Sequence, residues 1–187
     1  MKKIPTIFKR DFSNKGSLLN ELNPYCVWVF NGEGVATRKY DGTCVKLERN
    51  KYFKRREVKK GKKIPDGFIE EEFDKNTGKH IGWIEVDIND KSNKWHIEAL
   101  RTDLKDGTYE LLGPKIQGNP EKYDSHFLIK HSEAVIFLDM PRNFNGIKQF
   151  LADKDIEGIV FHHPDGRMAK IKKRDFGQIR IPKETKP

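Results

Sequence analysis

The chain has 187 residues, enough for one domain with a sizeable core. Thirty-seven Lys and Arg against 28 Asp and Glu leave a formal charge of +9, which favours a polyanionic partner: nucleic acid first, an anionic membrane surface second. No apolar run approaches the roughly 18 residues of a membrane span. Met1-Lys2-Lys3 resembles the start of a signal peptide, but Lys9, Arg10 and Asp11 cut short the apolar stretch that follows, so none is expected.

In chain order, Ser17 to Leu22 reads as a short helix ended by Asn23-Pro24. Strands are predicted at Val27 to Phe30, Val35 to Tyr40, Thr43 to Glu48 and Tyr52 to Arg55, each bounded by Gly or Asn turn signals. Lys54 to Lys63 then packs seven cations into ten residues, read as a solvated hairpin or a phosphate-tracking surface. Further strands are expected at Gly82 to Val86, Thr108 to Leu112, Ala134 to Leu138, Gly158 to His162 and Met168 to Ile171, the last two separated by the turn Pro164-Asp165-Gly166. Asn143 caps a predicted helix whose apolar face is Phe144, Ile147, Phe150 and Leu151. With no internal repeat and no linker, the expectation is a single α+β domain over residues 1–187, built from two packed, mainly antiparallel sheets with flanking helices.

The chemistry concentrates in five short segments. Lys39-Tyr40-Asp41-Gly42-Thr43 places a lysine at a strand end beside a turn, where its amine is exposed; alone, the pentapeptide is better read as an ordinary hairpin turn. Arg55 follows sixteen residues later, at the end of the next-but-one strand, and its fork of donors suits a phosphate. Glu110 interrupts an otherwise apolar strand, which elsewhere would mark an outward-facing edge position. Glu157-Gly158-Ile159-Val160 sets a carboxylate ahead of a buried strand, a position that suits a divalent ion. Lys170-Ile171-Lys172 points two ammonium groups to one face, where they repel unless an anion lies between them. Together these groups meet the needs of attack on a nucleoside triphosphate: a nucleophilic amine, cations for the α-phosphate and a carboxylate for the ribose.

In this order the motifs resemble the covalent nucleotidyltransferases: ATP-dependent DNA ligases, RNA ligases and mRNA capping enzymes. Tyr109 to Pro120 and Glu157 to Gly166 look like RNA ligases, and Lys39 to Cys44 is similar to the compact vertebrate-type 5′-to-3′ RNA ligases. The resemblance implies an adenylyltransferase (ATP-grasp-like) domain that carries AMP on Lys39 and joins RNA 5′-phosphate and 3′-hydroxyl ends. It implies that Asp41 orients the turn, Glu110 binds the ribose, Lys170 and Lys172 meet the α-phosphate, and Glu157 holds Mg²⁺ or Mn²⁺. The resemblance also implies that Arg55 contacts phosphate or the 3′ nucleotide, with Arg56 as the competing arginine. Arg55, Arg56, Lys59, Lys60, Lys62 and Lys63 would then contact RNA. Fifteen residues follow Lys172, so no OB-fold domain is expected, which argues against DNA ligases and capping enzymes. The same covalent chemistry on nicked DNA or with GTP is the alternative.

The remaining conspicuous residues are read as structural. Phe12, Phe30, Phe137 and Phe161 are assigned to the core, as are Trp28, Trp83 and Trp95; Phe127 is the guess for an adenine-stacking ring. His162 and His163, being sequential on a strand, point to opposite faces and cannot easily share an ion. His126 and His131 are expected to be surface or hydrogen-bonded histidines. Cys26 and Cys44 are read as buried, reduced thiols of a cytoplasmic protein. The protein is expected to act as a monomer.

Overall fold

Turn residues cut the chain into segments too short for long helices. In the computed structural model, which describes residues 2–180, most of them pair as antiparallel strands. A hairpin of β1 (Phe8–Asp11) and β2 (Ser17–Leu22) leads through a 3-10 turn into the single-turn helix α1 (Val27–Phe30) and then β3 (Val35–Lys39). There follow β4 (Thr43–Glu48), β5 (Lys51–Val58), β6 (Ile69–Asp74), β7 (Lys79–Glu85), α2 (Lys94–Glu98), β8 (Gly107–Leu112) and β9 (Phe127–Lys130). The described chain then runs through β10 (Ile136–Phe137), α3 (Phe144–Ala152), β11 (Gly158–His162), β12 (Met168–Lys172) and a 3-10 turn at Lys173–Phe176. The protein is α+β, with antiparallel pairing in every sheet. No helix among the described residues is long and apolar enough to cross a membrane.

The chain divides into two compact units, an inserted unit, Asp41–Glu133 with the N-terminal residues up to Lys3, and a split unit, Ile4–Tyr40 with the chain from Ala134 onward. In the split unit the sheet order is β10-β3-β11-β12. Alternation along β11 and β12 turns Ile159, Phe161, Ala169 and Ile171 to the core, where they meet Ile147 and Leu151 of α3. The Asn143 side chain accepts from the Gly146 N–H, the N-cap expected from sequence. The inserted unit carries the six-stranded sheet β6-β7-β5-β4-β8-β9. One of its faces buries Val45, Tyr52, Tyr109, Leu111 and Leu128 with Trp95 and Ile97 of α2.

Local pairing overrides several expectations from sequence. Ser17–Leu22 is a strand, because it finds Phe8–Asp11 across a tight hairpin whose Gly16 has φ +75°. Val27–Phe30 is a helical turn: Asn23 accepts from the Tyr25 N–H and starts a turn that winds straight into it, and four consecutive apolar residues carry no period to separate helix from strand. The segment expected at Ala134 to Leu138 pairs only at Ile136–Phe137. Phe12, assigned to the core, sits at the hairpin tip and is 85% exposed. Cys44 is half-buried; only Cys26 is fully enclosed, and burial raises its thiol pKa to about 11, leaving it unreactive.

Beneath α2, both ring nitrogens of His96 and the Tyr52 hydroxyl are buried without a hydrogen-bond partner among the described residues. Burial, together with the nearby Lys54 ammonium, lowers the His96 pKa to about 4. Between that value and an unfolded value near 6.5, the unfolded chain binds more protons. The stability contributed by neutral His96 is therefore complete above about pH 6.5 and is lost as pH falls toward 4. Its share of the slope should reach at most about 1.4 kcal/mol per pH unit. Urea melts of wild type and His96→Phe at pH 7, 6 and 5 check this: the variant should lose less stability on acidification, and equal losses would contradict it.

Candidate active site

Two clusters of charged groups stand out, one in each unit. In the split unit, β11 lies between β3 and β12, and Gly158 pairs with Lys39 on one side and Lys172 on the other. Residues opposite one another across strands share a face. Lys39 and Lys172 therefore project on the same side of the sheet, away from the core residues Ile159 and Ile171, and Lys170 joins them from two residues earlier. A β-carbon at Gly158 would lie 2.2 Å from the Ile171 carbonyl oxygen, so only glycine permits this close approach of the strands.

Glu157, just before Gly158, closes the arrangement. Its Oε2 accepts from Lys39 Nζ at 2.5 Å and its Oε1 pairs with Lys172 Nζ. The carboxylate is 9% exposed, and burial alone would raise its pKa. Lys39 and Lys172 outweigh that effect and hold it below the ordinary glutamate value. Lys39 also donates to the Tyr40 carbonyl.

A lysine that sequence reasoning passed over fixes this carboxylate. Lys173 is buried; its N–H donates to the Glu157 carbonyl at 2.8 Å, while its Nζ donates to the carbonyls of Ala152 and Lys154. The ammonium thus satisfies acceptors left at the C-terminal end of α3 and pins the loop that delivers Glu157. Asp175 further holds the end of β12 by accepting from the Lys172 N–H.

In the inserted unit, the Asp41-Gly42 turn packs against β8. The Gly42 N–H donates to Glu110 Oε1 at 3.1 Å and the Asp41 N–H to Glu121. A β-carbon at Gly42 would meet the Leu111 carbonyl oxygen at 2.3 Å. Glu110 is not on an edge: β8 lies between β4 and β9, and the residue is buried. Its Oε2 meets His131 Nε2 at 3.0 Å, and His131 Nδ1 meets the Thr108 hydroxyl. With the carboxylate accepting, Nε2 carries the proton and Nδ1 accepts from Thr108. His131 is therefore a hydrogen-bonded histidine, as expected, and it orients Glu110. His126 is buried, stacked on Trp95 and paired with Glu98.

Register also separates the two arginines. Arg55 lies in the middle of β5 rather than at a strand end, because the pairing with β7 continues to Val58. It stands opposite Trp83, and continuous pairing through β4 puts Phe53, Lys46 and Glu110 on that same sheet face. Arg56 points to the other face and is exposed. The Arg55 Nε is buried with no hydrogen-bond partner among the described residues, a donor left over for a ligand. Lys46, missed in the sequence, holds its ammonium about 5 Å from the Phe53 and Trp83 rings. Lys59, Lys60, Lys62 and Lys63 are exposed in the loop after β5. Phe127, on the edge strand β9, stacks edge-on against Tyr123.

Among the described residues no group of three or more His, Cys, Asp or Glu side chains converges as a metal cage. Glu157 is a single carboxylate donor; that suits Mg²⁺ or Mn²⁺ completing its shell with water and substrate phosphate, and does not suit a structural zinc.

No protein-family model matches the chain. Individual relatives do. It is 25% identical to RNA ligase 1 of Rattus norvegicus over 268 aligned positions, covering 94% of this chain and 81% of the relative. The chain is similar to RNA ligase 1. Against RNA ligase 1 of Mus musculus the identity is 25%, with 94% of this chain and 80% of the relative covered. With RNA ligase 1 of Pongo abelii it is 28% over 137 positions, covering 52% of this chain and 41% of the relative. The rat and mouse alignments of RNA ligase 1 are longer than this 187-residue chain, so those relatives carry additional segments.

Because Lys173 serves the loop and not the charge cluster, Lys173→Met should destabilise the protein by about 1–3 kcal/mol by stranding two buried carbonyls. Denaturant unfolding checks it; an unchanged midpoint would remove Lys173 from this role.

Proposed function

We propose that this protein is an ATP-dependent RNA ligase that works through a lysyl-AMP intermediate. The observation that carries the proposal is the pairing of Lys39 and Lys172 about Gly158, with one buried carboxylate between them. Similarity to RNA ligase 1 over most of the chain supports RNA as the substrate class.

In the first step the free amine of Lys39 attacks the α-phosphorus of ATP. An N–P bond forms, the bond to the β-phosphate oxygen breaks, pyrophosphate leaves and the amine gives up a proton. Lys172 and Lys170, on the same sheet face, meet the α-phosphate oxygens as negative charge builds there. An arriving phosphate would compete with Glu157 for both lysines, and Glu157 would then be the residue to hold Mg²⁺ or Mn²⁺, which would supply charge neutralisation at the phosphates.

Glu110 takes the ribose hydroxyl, held for it by His131 and by the Gly42 N–H. Asp41 shapes the turn after the nucleophile, and Arg55 contributes its spare donor to phosphate. In the second step the RNA 5′-phosphate oxygen attacks the adenylyl phosphorus and the N–P bond breaks, returning Lys39. In the third the RNA 3′-hydroxyl oxygen attacks the 5′-phosphorus, AMP leaves and the strand is sealed. The enzyme acts as a cytoplasmic monomer on RNA with 5′-phosphate and 3′-hydroxyl ends.

The third step needs no lysyl nucleophile. Lys39→Ala should therefore fail to join 5′-phosphorylated RNA with ATP, losing at least about 10³-fold in rate, yet still seal RNA whose 5′ end already carries AMP. Gel assays of both substrates check it. ATP-dependent joining at wild-type rate by a folded Lys39→Ala protein would overturn the proposal.

A further inference from the structure

The split unit holds a concavity that none of these steps uses. Its volume is about 700 Å³, and it is walled by the β1–β2 hairpin, α3 and the 3-10 turn that follows β12. Four cations line it: Arg10, Lys15, Lys148 and Arg174. Asp175 is the one carboxylate among the lining residues, and it is already committed, accepting from Arg10 at 2.6 Å and from the Lys172 N–H. Lys15, Lys148 and Arg174 are exposed, and none of their side chains has an ion pair or hydrogen bond among the described residues. The floor is apolar, formed by Leu18, Phe144 and Phe176, which pack onto the core beneath. Cations around a floor of low polarisability concentrate a positive field in the recess, where their mutual repulsion is relieved only by an anion.

We infer that this recess is a second RNA-binding surface that takes the phosphate backbone of the substrate strand. The inference rests on the ligase reading for the identity of the polyanion, though not for its charge. The three unpaired cations come from three separate elements rather than converging on one point. That spacing suits the repeated charges of a polynucleotide better than a lone phosphate, and the volume exceeds what a single phosphate fills. The recess is also tied to the adenylation cluster, since Asp175 bonds both Arg10 in its wall and the backbone of Lys172.

The test compares full-length wild type with the triple variant Lys15→Ala, Lys148→Ala, Arg174→Ala. Two properties are measured: self-adenylation with ATP, and binding of a fluorescent 5′-phosphorylated single-stranded RNA across a salt series, with inorganic phosphate as competitor. The triple variant should self-adenylate as wild type does, bind RNA on the order of tenfold or more weakly at low salt, and show a log–log salt slope shallower by up to about 2. Wild-type affinity and slope in the triple variant would overturn the inference, as would complete displacement of the RNA by millimolar phosphate, which would mark a small-anion site. Should the triple variant also lose adenylation, Lys15→Gln with Lys148→Gln replaces it under the same criteria. If wild type itself takes no AMP while the variant still weakens RNA binding, the ligase reading fails and the RNA surface stands.

Discussion

The geometry of the split unit depends on one carboxylate between two ammonium groups. Glu157, Lys39 and Lys172 are all largely buried, and two cations around one anion leave a net positive charge. Such a trio is costly to desolvate, and removing its centre would leave two lysines repelling across a strand pair. Several features secure that centre. Gly158 lets the flanking strands close, Lys173 pins the loop from α3, and Asp175 holds the end of β12. The residual positive charge suits an anion. The same three side chains thus form one closed ion-paired cluster on a single sheet face.

Much of this was legible in the sequence because the motif residues sit where strand periodicity is strict. Lys170-Ile171-Lys172 alternates about a core isoleucine, and Glu157-Gly158 opens a strand that appears within the bounds expected. Asn143 and its apolar face specify α3 without reference to any other element. What the sequence hid depends on partners distant in the chain. The 3-10 turn at Pro24 decides Val27–Phe30, and the hairpin decides Ser17–Leu22. Lys173 looks like one more surface cation until two carbonyls of the α3 loop close around it. The faces on which Arg55 and Arg56 lie likewise depend on the register of β5 against β4 and β7, since a single-residue shift exchanges the two faces of a strand.

The excess of basic residues also resolves into distinct roles. Some lysines are structural: Lys173 serves carbonyls and Lys46 lies over aromatic rings. Lys39 and Lys172 are both paired with Glu157. The cations after β5 are exposed, and others line the split-unit recess. A net charge of +9 on its own distinguishes none of these.

The central claim is that Lys39 takes AMP from ATP. Incubating wild-type protein with ATP and Mg²⁺, then measuring intact mass and mapping the modified peptide, tests it most directly. The account predicts a gain of one AMP, carried on the peptide containing Lys39 and lost in acid, where an N–P bond is labile. A protein that gains no AMP, or carries it on a residue other than Lys39, would contradict the account.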